Sequence, residues 1–161
     1  MRIFPFLLIC LTTFGCSEKT PENISESETL IQRFKTEKSF SDVIQELDFA
    51  ITERNFRITG RNTVGKGMRN RGYENYPEIE VIHFCSLDVA KEVLDIDPGY
   101  VAQMPCRVTI HEQDNAVIVS LILLPTDHKD PRVNDFARKM NITLREIVNF
   151  ALEENAIPFQ E

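Results

Sequence analysis

The stretch "CRVTIHEQDNAVIVSLILL", residues 106–124, decides the fold of this chain. Its two apolar runs, CRVTIHE and AVIVSLILL, are typical of β-strands. The three residues between them, Gln113 to Asn115, are typical of a tight turn. The stretch therefore predicts a β-hairpin with two antiparallel strands.

Towards the N-terminus, apolar patterns predict three more strands. A glycine-rich basic loop follows the second of them, with glycines at Gly65, Gly67 and Gly72. The three strands are expected over residues 29–36, 56–64 and 78–85.

Three segments have the periodicity of helices. The first, residues 39–55, begins at a cap on Ser39 or Ser41 and ends at Asn55, which tolerates left-handed backbone. The second, residues 86–94, is short and begins at a serine cap. The third is long, with Asp130 as its cap and Pro131 in its first turn. Its predicted buried face comprises Val133, Phe136, Ala137, Met140, Leu144, Ile147, Val148 and Ala151.

The order of these elements predicts an α+β fold with two layers. Two long helices are expected on one face of a largely antiparallel, five-stranded sheet. The folded domain spans residues 29–161, a normal length for one domain with one core.

Four segments have a common resemblance: "SFSDVIQELDFAITERNF", "GKGMRNRGY", "VIHFCSLDVAKEVL" and "MPCRVTIHE". They resemble a known family, the domain-of-unknown-function family numbered 302, and the resemblance extends over residues 30–155. The last two resemble the cysteine-bearing branch of that family, which is found in exported bacterial proteins. The resemblance implies a fold like that of the TATA-binding protein, and it implies no particular activity.

The N-terminus resembles a bacterial lipoprotein signal. Arg2 precedes an apolar run over residues 3–14, and Gly15 then stands directly before Cys16. On that resemblance residues 1–15 are removed and Cys16 carries the lipid; the alternative is an ordinary secretory signal. Residues 16–28 are polar and acidic, and are interpreted as a flexible tether. The expected location is the cell envelope, facing the periplasm, at the outer rather than the inner membrane.

Charge limits the choice of partners. The whole chain carries 18 basic and 25 acidic residues; without residues 1–15, which contain one arginine and no acid, 17 basic residues remain and the net charge is −8. A general nucleic-acid binder is therefore not expected. The expected partners are the membrane, through the N-terminal lipid, and a small anion, with a homo-oligomer left open.

One segment departs from this acidic balance. Residues 54–73 carry six basic residues and no acid. Three interpretations stay open: a solvated face, an anion site, and contact with anionic lipid headgroups. Lys66, Arg69 and Arg71, together with Arg107, are the candidate anion ligands.

Cys85 and Cys106 are the candidate site. If their strands were parallel the cysteines would be roughly 20 Å apart, whereas antiparallel strands bring them to one end of the sheet. The family resemblance favours the antiparallel case. The first interpretation is a structural disulfide in an exported binding or interaction module, worth about 3 kcal/mol in the chain-entropy model.

Two other interpretations of the cysteines remain. The helix that starts directly after Cys85 favours a reactive thiol, for redox or sulfur-transfer chemistry on an anionic sulfur compound. Alternatively, His83 and Met104 join the two cysteines in a copper or zinc site, although no cofactor is otherwise expected. The chain has no GxSxG, HExxH or Rossmann glycine pattern, so a conventional hydrolase or dehydrogenase is not expected.

Overall fold

The computed structural model describes residues 30–153, which form two layers, a sheet and a set of helices. The sheet has five strands in the order β1-β5-β4-β3-β2, and every neighbouring pair is antiparallel. The predicted α+β fold is therefore confirmed. The elements are β1 (Ile31–Thr36), α1 (Phe40–Glu53), β2 (Arg57–Thr63), α2 (Val64–Arg69), β3 (Ile79–Cys85), α3 (Leu87–Leu94), a 3₁₀ helix (Pro98–Gln103), β4 (Cys106–Gln113), β5 (Ala116–Ile122) and α4 (Pro131–Leu152).

The predicted hairpin is present. Its turn residues, Asp114 and Asn115, both have positive φ, of 51° and 59°. Two successive left-handed residues match the twist of the flanking strands, and Asp and Asn adopt that backbone more readily than most residues. The turn thereby sets the register that pairs Val108 with Leu121.

Helices α1 and α4 cover one face of the sheet and enclose the core. Ser39 caps α1 by accepting from the backbone N–H of Asp42, and Asn55 adopts the expected left-handed conformation with φ of 58°. Helix α4 begins at the predicted cap, Asp130. The predicted face of α4 is buried, except that Phe136 is half-buried.

The segment after β2 differs from its prediction. Residues 64–69 form helix α2, where a glycine-rich loop was expected. Gly65 is buried against the chain before β3, and a Cβ there would lie 2.3 Å from the carbonyl oxygen of Pro77. The glycine therefore allows close backbone packing, whereas the sequence suggested that it leaves room for a ligand.

Candidate functional site

The two cysteines lie at the same end of the sheet. Cys85 ends β3, Cys106 begins β4, and the register pairs Phe84 with Cys106. The expected antiparallel arrangement is therefore confirmed. Both cysteines line one small pocket, so the structure brings them together.

The structure shows no disulfide between Cys85 and Cys106, and both are free thiols. Paired residues of a sheet point to the same face, so Cys106 points with Phe84 into the helix-covered core. Cys85 is the next residue after Phe84, so its Cβ leaves the strand on the opposite side, and the residue lines the edge of the same pocket from there. The two sulfurs are therefore unbonded, although both residues line the same pocket.

The pocket that both cysteines line, here called the thiol pocket, is small and almost wholly apolar. Its volume is about 20 Å³, room for one water-sized group. It lies between the ends of β3 and β4 on one side and α3, the 3₁₀ helix and α4 on the other. Besides the cysteines it is lined by Phe56, Ser86, Val89, Ala90, Tyr100, Gln103, Met104, Leu124, Phe136 and Met140.

Tyr100 supplies an unusual polar group to this pocket. The residue is 6% exposed, and its hydroxyl oxygen has no hydrogen-bond partner among residues 30–153. Its ring packs edge-on against Phe136, with 6.0 Å between ring centroids. Burial, together with the nearby Cys106 thiol, raises the pKa of Tyr100 to about 12.

The Cys106 thiol is a poor nucleophile in this environment. Burial, followed by the charge of Cys85, raises the pKa of Cys106 to about 11. The thiol is therefore protonated at neutral pH, whereas thiol chemistry requires the thiolate. The structure gives no support to Cys106 as a redox nucleophile.

A larger cleft adjoins the thiol pocket. Its volume is about 410 Å³, and four residues line both spaces: Phe56, Val89, Phe136 and Met140. The rim of the cleft is charged, with three cations and two carboxylates on the ends and faces of three helices. The charged residues are Arg54, Glu92, Arg132, Asp135 and Lys139.

The candidate metal ligands are only partly brought together. Met104 lines the thiol pocket with both cysteines, but His83 does not. The His83 Nε2 atom lies 2.8 Å from the Asn62 Oδ1 atom on the sheet. Within residues 30–153 no three His, Cys, Asp or Glu side chains form a group that could hold a metal ion.

The four candidate anion ligands do not converge. Arg69 is used structurally: it pairs with Glu78 at 2.6 Å and donates to the carbonyl of Tyr76 at 2.7 Å. Lys66 and Arg71 are exposed in and just after α2. Arg107 lies in β4 opposite His83, about 13 Å along β3 from the strand start where α2 packs.

The pocket residues that sequence reasoning missed are Tyr100, Phe136, Met140 and Phe56. They come from the 3₁₀ helix, from α4 and from the residue before β2, and their apolar character is the same as that of core residues. The capped turn before Tyr100, where Asp97 accepts from the N–H of Gly99 at 2.9 Å, was the one local signal available.

A solved structure with a similar fold supports the architecture described above, and it carries no information on activity. A crystal structure of an uncharacterized conserved protein DUF302 from Bacillus stearothermophilus superposes with a TM-score of 0.69 at 13% identity. The match covers 78% of this chain and 99% of that chain, and at this identity it shows the fold alone. No curated protein matches the chain.

None of the helices described in residues 30–153 is long and apolar enough to cross a membrane. The family model described as "Domain of unknown function DUF302" matches residues 32–151, so the sequence-based resemblance is confirmed. The chain therefore belongs to the DUF302 family.

Proposed function

We propose that this chain is a lipid-anchored domain of the cell envelope that binds a small, largely apolar molecule without transforming it. The molecule occupies the cleft beside α4 and directs a hydrogen-bonding group towards the thiol pocket. The location is supported by the lipoprotein-like N-terminus, whose residues lie outside the described range.

The unpartnered hydroxyl of Tyr100 carries the binding proposal. Burying a hydroxyl without a partner costs about 1–3 kcal/mol, so native proteins rarely retain one without a reason. A phenylalanine would fill nearly the same space without this cost. A ligand that hydrogen-bonds to the hydroxyl would recover the lost interaction and would gain specificity from it.

The shape of the two spaces limits the ligand. The cleft of about 410 Å³ falls within the range of small-molecule sites, whereas the inner pocket of about 20 Å³ admits only one small group. Met140 lines both, and its flexible side chain is well suited to move aside for that group. The ligand is therefore a compact apolar body with one small polar group, lying beneath a charged rim.

The proposal that the ligand is bound without being transformed rests on the protonation of two groups in the pocket. The pKa values of Tyr100 and Cys106 are raised to about 12 and about 11, so both groups keep their protons at neutral pH. Neither group can then act as a general base or as an anionic nucleophile. Binding is the function that this arrangement supports.

The binding test uses anilinonaphthalene sulfonate, a fluorescent probe with an apolar body and an anionic group. Thr143→Trp places a large side chain in the cleft, and Ile142→Trp is the matched control because Ile142 is 56% exposed on the same helix. We expect the first variant to lose saturable probe binding and the second to retain it. Equal binding by both variants would refute a site in the cleft.

The second test concerns Tyr100. Native mass spectrometry of protein isolated from the envelope should show a bound small molecule that Tyr100→Phe loses. The ligand-free variant should be at least as stable as the wild type, because the change removes an unpartnered hydroxyl. A ligand-free variant that is clearly less stable would show that the hydroxyl is satisfied inside the protein.

The location has its own test. Cys16→Ser should release the protein from the membrane fraction, since the variant cannot carry the lipid. Wild type and variant that fractionate identically would contradict the lipid anchor and would leave the ligand site untouched.

A further inference from the structure

The strands distribute their charges unequally between the two faces of the sheet. Residues that the register pairs across neighbouring strands form rows, and the side chains of one row point to the same face of the sheet. The rows that include the core residues Ile82, Ile110 and Val119 face the helices. The alternate rows form the second face, here called the open face, whose residues are half-buried or exposed, apart from Ala116 and Ser120. It consists of Ile31, Arg33, Lys35, Arg57, Gly60, Asn62, Ile79, Val81, His83, Cys85, Arg107, Thr109, His111, Gln113, Ala116, Ile118, Ser120 and Ile122.

The acidic residues within the strands are confined to the helix-covered side of the sheet. The five strands contain two of them, Glu80 and Glu112, and both stand in helix-side rows. One strand arginine, Arg61, is on that side as well, and it is neutralised by ion pairs with Asp48 and Glu80.

The other four basic residues of the strands all belong to the open face. Arg33, Lys35, Arg57 and Arg107 are exposed, and none of them forms an ion pair within residues 30–153. The open face is therefore a strongly positive surface on a chain whose net charge is −7.

We propose that the open face docks on the surface of an anionic phospholipid bilayer. Four unpaired cations complement the headgroup charge, and each cation near such a surface raises the affinity by roughly fivefold. Isoleucines stand between them on the same face, among them Ile31, which is 39% exposed. Basic residues mixed with apolar ones suit the boundary between headgroups and acyl chains.

A flat partner also explains how an acidic domain can bind an anionic surface. A bilayer meets one face of the domain only, and the helix layer lies about 10 Å behind the sheet. Acidic residues on the outer side of the helices are then more than a Debye length, about 10 Å, from the headgroups. Their repulsion is screened, whereas the four cations are in contact.

The position of the N-terminus fits the same partner. β1 is an edge strand and supplies Ile31, Arg33 and Lys35 to the open face. At ~3.3–3.6 Å per residue, the segment from Cys16 to Ile31 reaches at most about 50 Å. A lipid on Cys16 would keep the domain at a millimolar-scale effective concentration near the bilayer, so weak docking would suffice.

The test measures co-sedimentation of residues 17–161 with lipid vesicles, so that no lipid anchor contributes. The crystallised relative, 99% of which is covered by the match, indicates that a domain of this size folds without the N-terminal segment. We expect binding to vesicles that contain phosphatidylglycerol, weak binding to phosphatidylcholine vesicles, and release by high salt.

Two variants with the same charge change locate the surface. The open-face variant changes Arg33, Lys35, Arg57 and Arg107 to Gln; it should lose on the order of 100-fold or more in affinity for the anionic vesicles. The control variant changes Lys66, Lys91, Lys129 and Arg138 to Gln, all of them exposed residues outside the open face. The control variant should lose much less affinity for the anionic vesicles than the open-face variant.

Three outcomes would overturn the proposal. One is equal loss in both variants, which would indicate attraction by net charge alone. Another is the absence of vesicle binding in folded wild-type protein. The last is salt-sensitive binding to polyglutamate or to DNA that exceeds binding to vesicles, which would assign the open face to an acidic peptide or a nucleic acid. None of these outcomes bears on the ligand site beside α4.

Discussion

Asn141 is the residue whose substitution should most weaken the packing of α4 against the end of the sheet. It is 6% exposed on the buried side of the helix. Its Oδ1 atom accepts from the backbone N–H of Leu124 at 2.8 Å, and its Nδ2 atom donates to the carbonyl of Leu124 at 2.9 Å. Leu124 follows β5 and lines the thiol pocket, so this side chain fixes the chain at the point where it leaves the sheet.

The expected cost of Asn141→Ala follows from these two bonds. The change leaves a backbone N–H and a carbonyl of Leu124 without partners in the interior, and each such group costs about 1–3 kcal/mol. Alanine recovers roughly half a kcal/mol through its better helix propensity. The free energy of unfolding should therefore fall by about 2–5 kcal/mol, a large part of the roughly 5–15 kcal/mol that stabilises a typical domain.

Urea unfolding followed by circular dichroism measures this loss. With a denaturant slope of about 1–3 kcal/mol per molar urea, the midpoint should fall by roughly 1–2 M or more. Asn149→Ala is the control, because Asn149 is exposed on the same helix, and its midpoint should barely change. Equal midpoints for the two variants would refute the argument that these hydrogen bonds stabilise the fold.

Asn141→Asp tests the two hydrogen bonds of Asn141 separately, because it keeps the acceptor and removes the donor. Aspartate can still accept from the N–H of Leu124, but its ionised oxygen would face the carbonyl of Leu124, where the amide donated. Burial and this carbonyl should raise the pKa of the new carboxyl above its unfolded value. The variant should therefore be most stable at acidic pH and lose stability as pH rises through the folded-state pKa. Stability that increases with pH would contradict this geometry.

Three further changes test other parts of the structure. Gly65→Ala should destabilise the domain by about 2 kcal/mol or more in urea unfolding, because its Cβ would lie 2.3 Å from the carbonyl oxygen of Pro77; an unchanged midpoint would contradict the packing of α2. The pKa of Cys106 is raised from 9.0 to about 11, so the thiol of the unfolded chain ionises before the thiol of the folded chain. The free energy of unfolding of the wild type should therefore fall by about 2–3 kcal/mol as pH rises from about 9 to 11. Cys106→Ala should remove most of the slope between about pH 9 and 10, above which the raised pKa of Tyr100 adds its own slope, and Cys85→Ala should keep most of it. Arg61→Met should lower the unfolding free energy by about 1–2 kcal/mol, because the nearly buried carboxylate of Glu80 loses its cation, whereas water can replace the cation at the more exposed Asp48; a variant as stable as the wild type would contradict this.

Elements with strong local signals could be predicted from the sequence. Helix α4 has a regular apolar face together with Asp130 and Pro131 at its start, and the structure begins it at Pro131. The hairpin was equally clear, because Asp114 and Asn115 separate two apolar runs. In both cases local preference and tertiary packing favour the same structure.

Helix α2 shows why the loop prediction was wrong. Gly65 and Gly67 lower helix propensity, and the surrounding basic residues suggested a solvated loop. In the structure Gly65 packs against the backbone before β3, a tertiary contact that sequence periodicity does not reveal. The same limitation applies to Asn141, because a polar residue within an apolar helical face gives no sign of a partner seventeen residues away.

The candidate sites could be located only once the pairing of the strands was known. Sequence spacing placed His83 and Cys85 on one face of their strand, but only strand pairing shows that Cys106 points to the other face. Likewise, the sequence marked residues 54–73 as the basic region, whereas the unpaired cations of the open face come from three strands distributed along the chain. Which charges face the same surface is a property of the folded sheet alone.

The two proposed sites lie on opposite sides of the domain, which allows both to operate together. The cleft is formed by residues of α3 and α4 and of the chain around the end of α1, on the helix-covered side. A domain docked through its open face would therefore direct the mouth of the cleft away from the bilayer, where a ligand can enter from solution. This geometry predicts that anionic vesicles leave the affinity for anilinonaphthalene sulfonate unchanged in wild-type protein, once binding of the probe to the vesicles alone is subtracted. Vesicles that abolished probe binding would show instead that the domain approaches the membrane with its helices.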